Sequence, residues 1–261
     1  LKQGKNWQDD LMEFPLPAYI QLYPTTKCNQ RCSFCFNPDN PPVPDLALKD
    51  SLLLLDILAE NRTNNIDIMG GEPLLLPWIA DFVAAGTSYG ISFNISTNGS
   101  MPHLLDSFRG IPRGHFNIGI SLEGSTPERH NRLTGSDNFS KALQSIKKLI
   151  TLSLDPAVKT VLSRETADDI QNIVNLIRRI GVRRYHIIHM DIFSKKNGAG
   201  TNAFPYPAFL EFYRAIRTEN PDMEIHRVNA SCFDRDSLPA GVRCAGGVRK
   251  LSVLPDGTTY P

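Results

Sequence analysis

"NIDIMGGEPLLLPWIADFVAAGTSYGISFNISTNGS", residues 65–100, holds one complete strand–helix–strand unit. An apolar–polar alternation over 65–71 stops at a pair of glycines. Apolar residues at helical spacing follow over 76–90, and a second alternating run, 91–97, ends in a Thr97-Asn98-Gly99 turn. A period of two is the mark of a strand and a period of 3.6 that of a helix. Two parallel strands need a crossover of a dozen or more residues, which the central segment supplies. The same rhythm extends in both directions, predicting strands at 18–24, 115–123, 157–163 and 184–193 and helices at 46–62, 102–108, 138–152 and 167–181. Six strand-then-helix units result.

Such right-handed parallel units build either a doubly wound sheet or a barrel-like one, and periodicity alone leaves both open. In either, ligands gather at the carboxyl ends of the strands. The unusual short sequences fall there: a cysteine loop after residue 24, Gly70-Gly71-Glu72-Pro73, Ser96-Thr97-Asn98-Gly99, and Ser121-Leu122-Glu123-Gly124. The site is expected to draw on several strand ends. After about residue 220 the alternation stops, and Pro255-Asp256-Gly257 between "LSVL" and "TTY" predicts a β-hairpin. The expected organisation is an N-terminal segment 1–17, an α/β unit 18–220, and the start of a small module over 221–261.

Composition narrows the function. With 41% hydrophobic residues in 261, a large core is within reach. Lys plus Arg (28) nearly equals Asp plus Glu (27), so no overall field favours nucleic acid or an anionic membrane. No run approaches a membrane span, since "LLLLDILAE" (52–60) is interrupted by Asp56 and Glu60. The N-terminus lacks the apolar core of a signal peptide, so a cytoplasmic protein is expected. The first residue is Leu1, not Met, which suggests that a longer gene product is involved.

Three of the five cysteines crowd into "KCNQRCSFCFNP" (27–38) as Cys28-x-x-x-Cys32-x-x-Cys35. This crowding favours metal or redox chemistry over a disulfide framework. Thiolates suit zinc, copper(I) or iron–sulfur clusters. Structural zinc takes four protein ligands, yet no fourth Cys or His lies between residues 21 and 60. Ferredoxin-type cubanes need four cysteines as well. A four-iron, four-sulfur (4Fe-4S) cluster held by three cysteines leaves one iron open to an outside ligand. A zinc-stabilised scaffold or a non-catalytic iron–sulfur electron carrier is the reading from another class, and it gives no role to the Gly-Gly-Glu-Pro stretch or to Arg132.

The cysteine spacing, with Phe34 before the last cysteine, resembles the signature of radical S-adenosylmethionine (SAM) enzymes. That resemblance implies a 4Fe-4S cluster on Cys28, Cys32 and Cys35, whose open iron is chelated by the amino and carboxylate groups of SAM. Reductive cleavage then gives methionine and a 5′-deoxyadenosyl radical that abstracts a substrate hydrogen. Gly70, Gly71, Glu72 and Pro73 resemble the family's second motif, where backbone and carboxylate accept hydrogen bonds from the SAM ammonium. Ser121, Glu123 and Arg132 in "SLEGSTPERHNRLTG" resemble the stretch whose serine and arginine hold the SAM carboxylate, with Glu123 in place of the commoner aspartate. Ser96 and Asn98 match the family's Thr-Asn-Gly turn. The backbone near Phe34 and Met190, at the end of the sixth strand, are the implied adenine contacts. Ile188 and Met190 share one strand face, while His189 and Asp191 share the other.

The family fold is a partial (β/α)6 TIM-like barrel. Cys244, twelve residues, Gly257 and a further four residues resemble the opening of a SPASM or twitch module, which carries auxiliary iron–sulfur clusters. The expectation is that Cys232 and Cys244 bind such a cluster with cysteines beyond Pro261. The implied substrate is a side chain of a ribosomally made peptide or protein. The alternative is a tetrapyrrole or other small metabolite, and the implied electron donor is a flavodoxin or ferredoxin.

Overall fold

The computed structural model describes residues 16–35, 37, 43–190, 202–229 and 249–261. In chain order its elements are β1 (Tyr19–Leu22), α1 (Leu48–Glu60), β2 (Asn65–Ile68), α2 (Ile79–Ser88), β3 (Ser92–Thr97), β4 (Phe116–Ser121), α3 (Pro127–Thr134) and α4 (Phe139–Thr151). There follow β5 (Ala157–Leu162), α5 (Ile170–Arg179), β6 (Arg184–His189), α6 (Tyr206–Glu219), β7 (Glu224–Val228), β8 (Lys250–Val253) and β9 (Thr259–Tyr260). The nine described strands form one sheet in the order β7-β6-β5-β4-β3-β2-β1-β8-β9. Every neighbouring pair is parallel except the β8–β9 hairpin. Consecutive strands from β1 to β7 sit side by side, the order of a partial TIM-like barrel, and the sheet does not close.

The expected short helix over 102–108 forms as a 3₁₀ helix, Pro102–Phe108. Two other features differ from the sequence reading. The parallel pattern also runs past residue 220. Helix α6 leads to β7, which pairs with β6 from Arg184↔Glu224 to Ile188↔Val228. Short, edge-lying "EIHRV" has too few apolar residues to announce a strand. The expected hairpin forms, and its first strand joins the main sheet beside β1, pairing Tyr19↔Lys250 through Leu22↔Val253.

The two faces of the sheet differ in chemistry. Ile20, Leu22, Ile66, Ile68, Phe93, Ile95, Ile118 and Ile120 are all essentially inaccessible. They belong to the same core as Leu55, Leu58, Phe82, Val83, Ile146, Leu149, Ile173 and Ile177 from the helices. Burying each such side chain contributes about 1.5–3 kcal/mol before chain entropy is charged against it. Intervening residues on the other face are polar: Tyr19, Gln21, Asp67, Asn94, Asn117, Lys159, Arg184 and His186. Parallel strands covered on both faces ordinarily read as continuous apolar runs. Polar alternation here marks a face turned toward a cavity.

Candidate active site

The cysteine loop leaves β1 and is fastened on two sides. On one, Gly71 N donates to Thr25 O and Glu72 N donates to Lys27 O, both at 2.8 Å. The approach is so close that a Cβ on Gly71 would lie 1.8 Å from Lys27 O, and one on Gly70 (φ +116°) would lie 2.5 Å from Thr25 O. On the other, Arg31 N donates to Thr134 O (3.1 Å) and Ser33 N to Leu133 O (2.9 Å), at the end of α3. Thr126 caps the start of α3, and left-handed Gly135 ends it with Arg31 O directly beneath.

Glu72 joins the second and third strand ends. Its buried carboxylate accepts from Thr97 Oγ1 (2.6 Å), Asn98 N (2.7 Å) and Leu74 N (3.0 Å). Burial pushes its pKa up and these three donors pull it down. Asn98 in turn donates through Nδ2 to Asn29 Oδ1 at 2.7 Å, inside the cysteine loop, and Asn29 Nδ2 donates to Ser100 Oγ at 2.8 Å. The Gly-Gly-Glu stretch and the Thr-Asn-Gly turn therefore act on the loop as one bracket.

A cavity of about 410 Å³ opens beneath this bracket. Of the residues singled out from sequence, Cys28, Cys32, Cys35, Phe34, Gly70, Gly71, Glu72, Ser96, Asn98, Ser121 and Glu123 line it. Pro73 starts a buried 3₁₀ turn behind the wall. Met190 is buried in a small cluster with Ala203, against which Phe34 and Val161 pack, so the two implied adenine contacts are neighbours. Arg132 is exposed on α3 and is not among the lining residues; the helix that carries it braces the cysteine loop instead. Cys232, Cys244 and Asp191 lie outside the described residues. His189 faces the helices, 2.8 Å from Phe204 O and against the rings of Tyr206 and Phe209.

The donor set suits a polynuclear cluster better than a single ion. Among the described residues no three His, Cys, Asp or Glu side chains converge as one metal ion would require, yet all three thiols face the same cavity. A cluster whose irons each take one thiolate needs its ligands spread apart. Burial, followed by the negative neighbours Glu123, Cys35 and Cys28, raises the Cys32 thiol far above its ordinary range. Burial also raises Cys28. At both positions burial disfavours the charged thiolate. Cys28, Cys32 and Cys35 thus fit the cluster that three-cysteine ligation implies, and Gly70, Gly71 and Glu72 border the space beside them.

Glu123 is fully buried; Val161 N donates to its Oε2 at 2.9 Å, and burial lifts its pKa to about 8. Its backbone N–H donates to His130 Nδ1 at 3.1 Å. Burial holds His130 neutral, with a pKa lowered to about 4, which suits the acceptor role.

Sequence motifs missed the floor of the cavity. There Tyr19 Oη donates to Asp67 Oδ2 (2.7 Å), Asn94 Nδ2 to Asp67 Oδ1 (2.7 Å), Arg184 Nη1 to Asn117 Oδ1 (3.0 Å), and Lys159 Nζ to Ser96 Oγ (2.6 Å). A signal was available: "YIQL", "NIDI" and "SFNIS" place polar groups at every second strand position, and "AVKTVL" and "RYHIIH" place Lys159, Arg184 and His186 on the same face.

Comparison with known proteins agrees with this geometry. The family model described as Radical SAM superfamily matches residues 22–177, more than half of the chain. The AdoMet-dependent heme synthase of Methanosarcina barkeri is 24% identical over 181 residues, covering 67% of this chain and 51% of that protein. The PqqA peptide cyclase of Ruegeria pomeroyi is 23% identical over 268 residues, covering 96% of this chain and 68% of the relative. The chain therefore spans about half to two thirds of the length of these relatives. Among solved structures, Streptococcus suis SuiB bound to precursor peptide SuiA superposes with a TM-score of 0.80 at 14% identity, over 95% of this chain and 60% of SuiB. At that identity the likeness concerns the fold.

Proposed function

This chain belongs to the radical SAM superfamily, and from that membership we propose that it works as a peptide-modifying radical enzyme. One observation carries the reading: the three thiols, the Gly-Gly-Glu turn and the Thr-Asn-Gly turn, distant in sequence, are hydrogen-bonded into one wall of a single cavity at the strand ends. When bound, the 4Fe-4S cluster supplies the electron that cleaves SAM to methionine and a 5′-deoxyadenosyl radical. The protein's part is to hold and orient. Cys28, Cys32 and Cys35 ligate the cluster, and Gly70, Gly71 and Glu72 offer backbone to the SAM ammonium. Ser96, Asn98, Ser121 and Glu123 border the remainder of SAM, with Phe34 and Met190 beside the adenine. Arg132, exposed on α3, is the proposed partner of the SAM carboxylate together with Ser121.

The peptide reading is supported by the relatives whose printed names are those of peptide-modifying enzymes. The tetrapyrrole alternative draws on the heme synthase likeness. Flavodoxin or ferredoxin is the proposed reductant and the cytoplasm the proposed compartment. An auxiliary cluster on Cys232 and Cys244, in a SPASM-type module that starts after β7, completes the proposal. Among the described residues no helix is long and apolar enough to cross a membrane.

The test is anaerobic reconstitution with iron and sulfide followed by incubation with SAM and dithionite. Formation of 5′-deoxyadenosine is expected, and Cys32→Ala should reduce it to background. Product from that variant at the wild-type rate would overturn the reading.

A further inference from the structure

The polar floor of the cavity contains a lysine, Lys159, that forms no ion pair among the described residues. Lys159 projects from β5, where it pairs with Ser121 of β4. Its side chain then crosses β4 and reaches β3, so that Nζ meets Ser96 Oγ at 2.6 Å. The crossing is possible because position 119 is glycine: a Cβ there would stand 2.2 Å from Lys159 Cε and 3.0 Å from Nζ. An ammonium has three donors, and one hydroxyl occupies one of them. Among the described residues no carboxylate lies within ion-pair distance of it.

The neighbouring charges are already committed. Both oxygens of Asp67 accept hydrogen bonds at 2.7 Å, from Tyr19 and Asn94. Arg184 is paired with Asp155, whose carboxylate lies 3.4 Å from Nε and whose carbonyl also accepts from the guanidinium. Burial lowers the pKa of Lys159 while Asp67 raises it; burial, then Lys159, His226 and Arg184, hold His186 down to about 4. Asp67 acts on Lys159 through its field but, held by two neutral donors, forms no ion pair with it, so the ammonium keeps donors to offer to a cavity that the cysteine loop also lines.

We infer that Lys159, positioned by its hydrogen bond to Ser96, forms a subsite for a carboxylate of the substrate, fixing the substrate at the cavity floor so that its reacting C–H faces the cysteine loop. The inference rests on the reading of this cavity as the chamber of a radical enzyme. A peptide offers a carboxylate from an Asp or Glu side chain or from its C-terminus, and both carry the same chemistry. Either oxygen would accept a charge-assisted hydrogen bond from Nζ and replace lost hydration.

The test uses reconstituted protein with SAM and three pools of N-acetylated tetrapeptides, compared by affinity selection and mass spectrometry. One pool carries Asp and Glu with an amidated end. The second carries Asn and Gln with an amidated end, and the third carries Asn and Gln with a free C-terminal carboxylate. Wild-type protein is expected to hold the first or third pool at least roughly tenfold better than the second, the scale of a hydrogen bond to a charged group. The preferred pool identifies the source of the carboxylate. Lys159→Met should erase the preference and Lys159→Arg should retain part of it, with Lys159→Gln as the second neutral variant if Met disturbs folding.

Equal retention of the three pools by wild type, absence of retention included, would overturn the inference, as would a preference that survives both neutral substitutions. SAM affinity is measured on the same samples. A roughly tenfold loss of SAM binding in Lys159→Met would make the lysine a cofactor contact and equally overturn it. Formation of 5′-deoxyadenosine by wild type is scored separately, so failure of the family-level reading is distinguishable from failure of the carboxylate subsite.

Discussion

Glu123 shows how much a single buried side chain can disclose. Its carboxyl keeps a proton to about pH 8, whereas in an unfolded chain it would lose it near pH ~4.3. Between those values the folded state binds one proton more than the unfolded state, so this group makes stability fall as pH rises. His130 and His186, both lowered to about 4, act in the opposite sense. From pH about 4 to ~6.5 their unfolded forms hold protons that the folded protein lacks, and stability rises with pH. Above ~6.5 the histidines are neutral in both states and no longer offset Glu123. Urea unfolding of the cluster-free chain should therefore weaken between pH ~6.5 and 8 by up to ~1.4 kcal/mol per pH unit. Glu123→Gln should flatten that decline, and a variant with the wild-type slope would show that another group causes it. Glu123 could be named from its motif, but its protonation state could not, because that depends on the surrounding core and on the Val161 amide from another strand.

At the level of elements, the site depends on loops meeting without side chains between them. Gly71 illustrates the constraint, since the Cβ of an alanine would lie 1.8 Å from Lys27 O and 2.4 Å from Lys27 C, both backbone atoms that cannot rotate away. Gly71→Ala should push the cysteine loop off the Gly-Gly-Glu turn while leaving the helices and sheet intact. Iron content and 5′-deoxyadenosine formation should fall roughly 10- to 100-fold, the usual cost of disturbing supports around metal ligands, with little change in far-UV circular dichroism. Gly90→Ala is the control: its φ of +77° also disfavours a side chain, but the space around it is open and far from the loop. Normal iron loading in Gly71→Ala would refute the bracket. The motifs themselves were legible because glycine pairs and cysteine spacing leave a local imprint. The brace from α3 was not, since "PERHNRLT" carries little apolar periodicity and its contact with Arg31 and Ser33 runs through backbone carbonyls, which any sequence possesses.

For the whole molecule, the sheet draws its last strands from the far end of the chain. The period-two and period-3.6 patterns revealed β1 through β6, where each strand is long enough to alternate and each helix has an apolar side. They did not reveal that the terminal hairpin would lie against β1, because that pairing joins residues about 230 positions apart and rests mainly on main-chain groups, with one side-chain contact from Ser252 Oγ to Gln21 Oε1 at 3.4 Å. Its energetic role follows from the contacts. Val253 and Leu254 are buried, Tyr23 N donates to Val253 O at 2.8 Å, and β8 pairs all four residues of β1. Removing residues 249–261 would expose one edge of β1, the strand that launches the cysteine loop, and would leave Ile20 and Leu22 beside an unpaired ladder. Losing two buried aliphatic side chains and the ladder should cost about 3–6 kcal/mol. An open edge next to apolar residues also invites pairing between molecules. The deletion variant should thus melt at least several degrees lower and sediment partly as aggregate, and its iron retention should fall because the loop's anchor moves. A deletion that melts and loads iron like the full chain would make the hairpin a passenger on the sheet, independent of the cysteine loop.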